Sequence, residues 1–290
     1  MKSAVKINKW REKFMLEVLF LYLIIPGRIN FLQLGRYGHF GEQRYRQQFG
    51  RRFDWLSFNA SLAASRTGNR VAIDFDPSYI IKSGKRTPYM GRFWSGCAKM
   101  AKRGLEISGI GLIDMDLHTC FHLEAVQTPP TKTLEQVKYT LIDWYLHVLR
   151  TRKEILQRLT NYVVADAYFS KSTFVEDALE MGFHVISRFR DDAYFRYLTT
   201  EQPTGKRGRP KLYDGKIEME HLEEDRFEII NLENGKGRIL SAVAHSRSLS
   251  RDILLCIWES EDKKVRKLYF STDMQMKAKD VLDFYKTRFP

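Results

Sequence analysis

The chain has 290 residues, 43% of them hydrophobic and 13% aromatic, including 19 Phe, 14 Tyr and 5 Trp. That composition excludes wholesale disorder and allows one large domain or two smaller ones. The formal net charge of +13 favours a polyanionic partner (DNA, RNA or an anionic membrane surface) without choosing among them.

The charge is unevenly placed. Residues 1–70 hold thirteen Lys/Arg against four acids, Glu12, Glu17, Glu42 and Asp54, so the first quarter is the basic module. The rest of the chain is nearly balanced, with 35 Lys/Arg against 31 acids. Cys97, Cys120 and Cys256 are far apart and odd in number, which predicts no disulfide framework and fits a reducing cytosol. The apolar stretch Phe14 to Ile25 is interrupted by Glu17 and closed by Pro26-Gly27. It is shorter than the roughly 20 residues a bilayer span takes, and no A-x-A-like cleavage site follows it.

In chain order, residues 8–65 read as a helical unit, with Trp10, Phe14, Val18 and Leu21 at helical spacing. Within it Arg44, Arg46, Arg51 and Arg52 interleave with Tyr45, Phe49 and Phe53. Such a pattern suits arginines that reach phosphates, and equally a core-facing aromatic stripe with a charged outer face. Ser65 to Asn69 is turn chemistry and a domain boundary, giving expected domains 1–65 and 66–290. A strand follows in RVAIDFDPSYI, where Pro77 is expected to end pairing or demote the strand to an edge. Gly84, Pro88, Gly91 and Gly96 mark turns, and residues 105–115 and 118–126 read as two more strands.

Thr133 to Leu159 is expected as one long helix, with Thr133 as its cap and Gln136 three residues on. A short buried strand (YVVADAYF), a helix from Ser172 to Met181 and a strand (FHVISRF) come next. Three strands followed by alternating helices and strands predict an α/β fold, a mixed sheet flanked by helices. Residues 191–270 break that alternation and read as a β-rich insertion, with the basic Gly205 to Lys211 loop and Asn234-Gly235 as a hairpin turn. The last helix begins near Lys277.

Two acids stand at the ends of apolar strand patterns. Asp76 follows Val71-Ala72-Ile73, and Asp166 follows Tyr162-Val163-Val164-Ala165. Strands lying side by side can hold two carboxylates together, and a divalent cation relieves their repulsion and activates an oxygen nucleophile at phosphorus. A strand-end Asp is also a common cap or turn residue. His118 and His122 are four apart without an HExxH pattern, Cys97 has no evident His or Asn partner, and no Gly-rich nucleotide fingerprint occurs, so no zinc, thiol or nucleotide chemistry is expected.

The residues from Asp76 through Lys82-Ser-Gly-Lys85-Arg86 to Gly96, and Val164-Ala-Asp166-Ala-Tyr-Phe-Ser-Lys171, resemble the first two catalytic blocks of bacterial DDE-type insertion-sequence transposases. The Lys206 to Lys211 loop, Tyr269 to Asp273 and the terminal Tyr285-Lys-Thr-Arg288 resemble the same family, the last being the start of its Y-R-E signature. The element order is also the one an RNase H-like fold requires. The resemblance implies Asp76 and Asp166 as catalytic metal ligands, with Asp74 as the competing choice for the first. It implies magnesium in a two-metal site, with manganese as the alternative ion. Lys82, Lys85, Arg86, Arg207, Arg209, Lys211, Tyr285 and Arg288 become the expected DNA contacts.

The implied partners are double-stranded DNA, as terminal inverted repeats and target, and a second protomer in a synaptic complex. No membrane or nucleotide cofactor is expected, and the implied location is the bacterial cytoplasm, at the nucleoid. The signature Glu would fall two residues past Pro290, outside these residues. The chain is therefore expected to be a truncated transposase that binds DNA with little or no strand transfer by itself. The alternatives are a non-catalytic DNA-binding fragment that occupies element ends or interferes with the full-length enzyme, an RNase H-like nuclease that only hydrolyses, and a protein of the membrane surface.

Overall fold

A computed structural model describes residues 7–84, 87–200, 211–233 and 237–288. The chain parts into two compact units, Met1–Leu62 and Ala63–Pro290. Among the described residues no helix is long and apolar enough to cross a membrane.

The first unit is built from α1 (Lys9–Ile24), α2 (Phe31–Tyr37) and α3 (Glu42–Phe49), with α4 (Trp55–Ala64) running to its end. Asn8 and Asn30 cap α1 and α2, their side chains accepting from the N–H groups of Arg11 (2.8 Å) and Gln33 (2.9 Å). Phe14, Leu21, Ile25, Leu34 and Tyr45 form its core. Tyr45 is fully buried and donates to Glu17 at 2.5 Å, so this aromatic packs. The arginines lie over the outer faces of other rings: Arg11 on Phe53, Arg44 on Trp10 and Arg46 on Phe31, each about 5 Å from the centroid. Aromatic core and cationic surface are thus two sides of one stripe. Leu16, Leu19, Phe20 and Leu23 on α1 remain exposed.

The second unit opens with β1 (Val71–Ile81), β2 (Gly91–Ser95), β3 (Met100–Asp114) and β4 (Thr119–Gln127). After them come α5 (Thr131–Gln136), α6 (Leu141–Arg150), α7 (Lys153–Gln157), β5 (Tyr162–Ala165), α8 (Ser172–Glu180) and β6 (His184–Arg188). It continues through β7 (Phe195–Leu198), β8 (Tyr213–Lys216), β9 (Glu228–Asn231), β10 (Arg238–Ser246), β11 (Arg251–Glu259) and β12 (Arg266–Ser271) to α9 (Ala278–Thr287). All twelve described strands join one mixed sheet of order β2-β3-β1-β5-β6-β12-β11-β10-β7-β8, with β4 also on β3 and β9 on β10. β1 and β4 are antiparallel to β3, whereas β1, β5 and β6 run parallel. The segment expected as an insertion extends this sheet, because β12 pairs with β6 and so covers an otherwise open edge.

Several elements differ from expectation. The helix anticipated from Thr133 to Leu159 is three helices. Lys138 takes a left-handed φ of 56° that stops α5, and Thr140 with Asp143 forms a capping box that starts α6. The apolar spacing of Leu141, Tyr145 and Leu149 belongs to α6 alone. Gly91, read as a turn, begins β2. Pro77 does not end β1, which pairs with β3 as far as Ile81. Its pairing with β5 stops at Phe75, so Pro77 lies where β1 has become an edge on that side. The Asn234-Gly235 turn lies outside the described residues, between strands that pair antiparallel.

Alternation along the strands sorts the two faces. Ala72, Val164 and Ile186 pack with Val281, Leu282 and Phe284 of α9. On the opposite face Phe75 is fully buried, its ring 5.7 Å from Tyr145 of α6 and 5.6 Å from Phe169. Phe75→Ala empties this joint directly beneath the strand end and is expected to cost about 3–5 kcal/mol in urea unfolding. A cost under about 1 kcal/mol would show that the joint does not hold β1.

Candidate active site

β1 and β5 are in register through Phe75 and Ala165, so the next step sets Asp76 beside Asp166 on neighbouring strands, which lie about 4.8 Å apart. Parallel partners in register face the same way, and Asp74, two residues before Asp76, shares that face. Asp166 closes β5 and caps a 3-10 turn, Ala167–Phe169, its carboxylate accepting from the N–H of Tyr168 at 2.9 Å. The Asp166 carbonyl accepts from Ser187 Oγ of β6 at 2.8 Å, which ties the strand end to its other neighbour. Asp76 accepts from Ser78 Oγ at 3.0 Å.

Across β1, the partners of Asp74 and Asp76 on β3 are Gly111 and Gly109. Without side chains there, a cleft of about 320 Å³ opens beside the carboxylates, bounded also by Ser78, Cys120 and His122. A Cβ on Gly111 would come within 2.5 Å of Cys120 Sγ.

Arg288, immediately after α9, closes the other side. Its Nε donates to Asp74 at 2.8 Å, and another guanidinium nitrogen donates to Asp76. The side chain is 1% exposed, against 14% for Asp74 and 38% for Asp76. Burial pushes the Asp74 carboxyl up to about 6; the Arg288 charge opposes the shift and the Asp76 charge adds to it. Burial likewise raises Asp166, with Arg288 opposing and Asp76 contributing. Burial works against the Arg288 charge, yet Asp74, Asp76 and Asp166 together hold its pKa above the ordinary value. Three carboxylates and one guanidinium therefore form a single electrostatic cluster.

The expected site residues fall into distinct places. Asp76 and Asp166 come together, and Asp74 joins them. Tyr285 is partly buried, with its ring 5.1 Å from Tyr269, and Arg288 turns inward onto the acids. Both were expected at DNA phosphates; here the half-buried carboxylates of Asp74 and Asp76 take the guanidinium. Lys82 is exposed just past β1, and Lys211 pairs with Asp214 at 3.1 Å. Lys85, Arg86, Arg207 and Arg209 lie outside the described residues. His122 and Cys120 also border the cleft. Their position depends on the β3–β4 register, which shifts at Ile110/Gly111 and leaves no mark in the spacing of the strand.

Among the described residues, no group of three or more His, Cys, Asp or Glu is arranged to hold a metal. Asp76 and Asp166 are two hard oxygen donors, and magnesium commonly takes one or two protein carboxylates and completes its shell with water and phosphate. The donor set therefore fits that ion. The chain matches no protein-family model and no curated protein.

The pH behaviour follows from the charges. Asp74 has a folded pKa above its unfolded value, so its contribution to stability is full below about pH 4 and is lost as pH rises through about 6. Arg288 offsets that loss. Arg288→Gln is expected to cost about 3–5 kcal/mol near pH 8, where the acids are left uncompensated, and less near pH 5, where Asp74 takes a proton. Metal-free thermal unfolding across that range checks this, and a penalty independent of pH would contradict it.

Proposed function

We propose that this chain is a transposase of a bacterial insertion sequence, cutting and joining DNA strands with divalent metal on an RNase H-like scaffold. The observation that carries the reading is the juxtaposition of Asp76 and Asp166 at adjacent ends of parallel β1 and β5. Around them the order β4-β3-β1-β5-β6, three antiparallel strands and then two parallel ones, is consistent with that scaffold. The family resemblance of the segments around the two acids supplies the reaction, and the net charge of +13 suits the substrate.

In this reading Asp76 and Asp166 hold the ions. Magnesium bound there would supply Lewis acidity and an activated water or 3′-hydroxyl for in-line attack at phosphorus. Asp74 adds negative charge on the same face. Arg288 already engages an Asp76 oxygen, so it and a divalent ion compete for one carboxylate. The glycines opposite the acids keep bulk away from the place a phosphodiester must reach.

The resemblance puts a third carboxylate two residues past Pro290, so the reaction is assayed in a chain extended through that position. On matched terminal-repeat DNA with magnesium, the extended chain is expected to give joined strands or a hairpin. Asp76→Ala or Asp166→Ala in the extended chain should reduce the product at least a hundredfold. Nicked DNA without joined product would favour simple hydrolysis. Full activity in either Asp variant would remove the two acids from the mechanism.

A further inference from the structure

A second cleft, of about 560 Å³, lies beside the loop that carries Asp166. Ala167 and Tyr168, the residues directly after that acid, form one wall, and Arg190, Tyr194 and Arg247 line the others. None of these was among the expected DNA contacts. We propose that this cleft binds the phosphate backbone of the DNA strand that leads onto the carboxylate pair.

Three cations border it: Lys171, Arg190 and Arg247. Among the described residues none of the three is in an ion pair with a carboxylate, although Asp192 also lines the cleft. Other arginines of this unit, such as Arg150, Arg152, Arg226, Arg238 and Arg266, are neutralised by Asp or Glu. Lys171 also acts at longer range on the Asp166 carboxyl, but cations without a direct carboxylate partner gathered round one concavity attract an anion.

Two of the three are also positioned. Lys171 Nζ sits 3.9 Å from the centre of the Tyr168 ring, and the Arg247 guanidinium lies 5.6 Å from that of Tyr194. The walls are pinned as well. Ser170 Oγ donates to the Arg188 carbonyl at 2.6 Å, and the Arg247 N–H donates to the Tyr194 carbonyl at 3.1 Å. A rigid cationic cleft loses little on binding, which favours a specific site over a loose charged surface.

Continuity argues for a strand in preference to a small phosphate. Arg196 also stands 5.6 Å from the Tyr194 ring, so the positive strip runs on past the cleft, while Lys216 beside the same ring is paired with Glu218. At its other end the Tyr168 N–H is bonded to the Asp166 carboxylate. A single phosphate would use one end of such a strip, whereas a polynucleotide follows its length.

The proposal rests on the transposase reading for its placement of the strand, but its test needs no turnover. A fluorescent DNA duplex of about 30 base pairs is titrated with the 290-residue chain in EDTA at several salt concentrations. Combined Lys171→Ala, Arg190→Ala and Arg247→Ala is expected to weaken binding at least tenfold at low salt. The log–log salt slope should become shallower by about 2 to 3, as loss of that many phosphate contacts requires. Arg190→Lys with Arg247→Lys should keep most of the slope. A control triple, Lys132→Ala, Lys138→Ala and Lys153→Ala, should change it far less.

An unchanged slope in the cleft triple, an equal loss in the control, or full displacement of the duplex by millimolar inorganic phosphate would each overturn the proposal. Melting curves confirm that the variants fold, and the Lys pair keeps the test decisive if the Ala triple does not. If the cleft triple loses DNA but the extended chain cuts nothing, the site stands and the transposase reading fails. If strands are cut and the cleft triple binds normally, the failure belongs to this proposal alone.

Discussion

The candidate site depends on the crowding of like charge. Asp74, Asp76 and Asp166 share one face at adjacent strand ends, and Arg288 is the cation in direct contact with two of them. Two unit charges about 4 Å apart at an effective dielectric near 20 interact by about 4 kcal/mol, so the arrangement favours a cation among the acids or a proton on Asp74. The sheet makes the crowding unavoidable, because β1 and β5 are locked in register by the apolar residues just before the acids. Burial of Phe75 below and the contact of Val164 with α9 above leave those strands no freedom to part.

The position of Arg288 links α9 to the site. Val281, Leu282 and Phe284 anchor the helix on the sheet, and the chain delivers the guanidinium just past its end. The same helix residues that pack the core thus set the charge balance above it. An arginine is suited to this place, since its planar fork can bond two carboxylates at once while a lysine acts as a point charge. A divalent ion would meet the same acids with greater charge density and more ligand positions.

Much of this was legible in the sequence. The apolar runs before Asp76 and Asp166 marked both as strand-end acids, and the alternation that puts Asp74 and Asp76 on one face follows from backbone geometry alone. The helical first unit, the order of β1, β3, β4, β5 and β6, and the onset of α9 were also readable from periodicity and turn residues. Long-range pairing was not. Nothing local states that Gly109 and Gly111 stand opposite the acids, that His122 borders them, or that Arg288 turns inward.

The breaks in 133–159 were misread because apolar spacing continues through a cap. Thr140 and Asp143 carried the signal, but Thr133 and Gln136 offered the same chemistry seven residues earlier. Gly91 was misread because glycine in a strand resembles glycine in a turn until its partner, Gly104, is known. The cations of the second cleft come from the Asp166 loop, the β6–β7 turn and the β10–β11 turn, so no sequence window contains them together.

Manganese titration followed by electron paramagnetic resonance tests the central claim most directly, since Asp76 and Asp166 must converge on a shared divalent ion. The 290-residue chain is expected to take up manganese saturably, and Asp76→Asn with Asp166→Asn to weaken uptake at least tenfold while the protein still melts cooperatively. Equal uptake by the chain and the double variant would contradict the account.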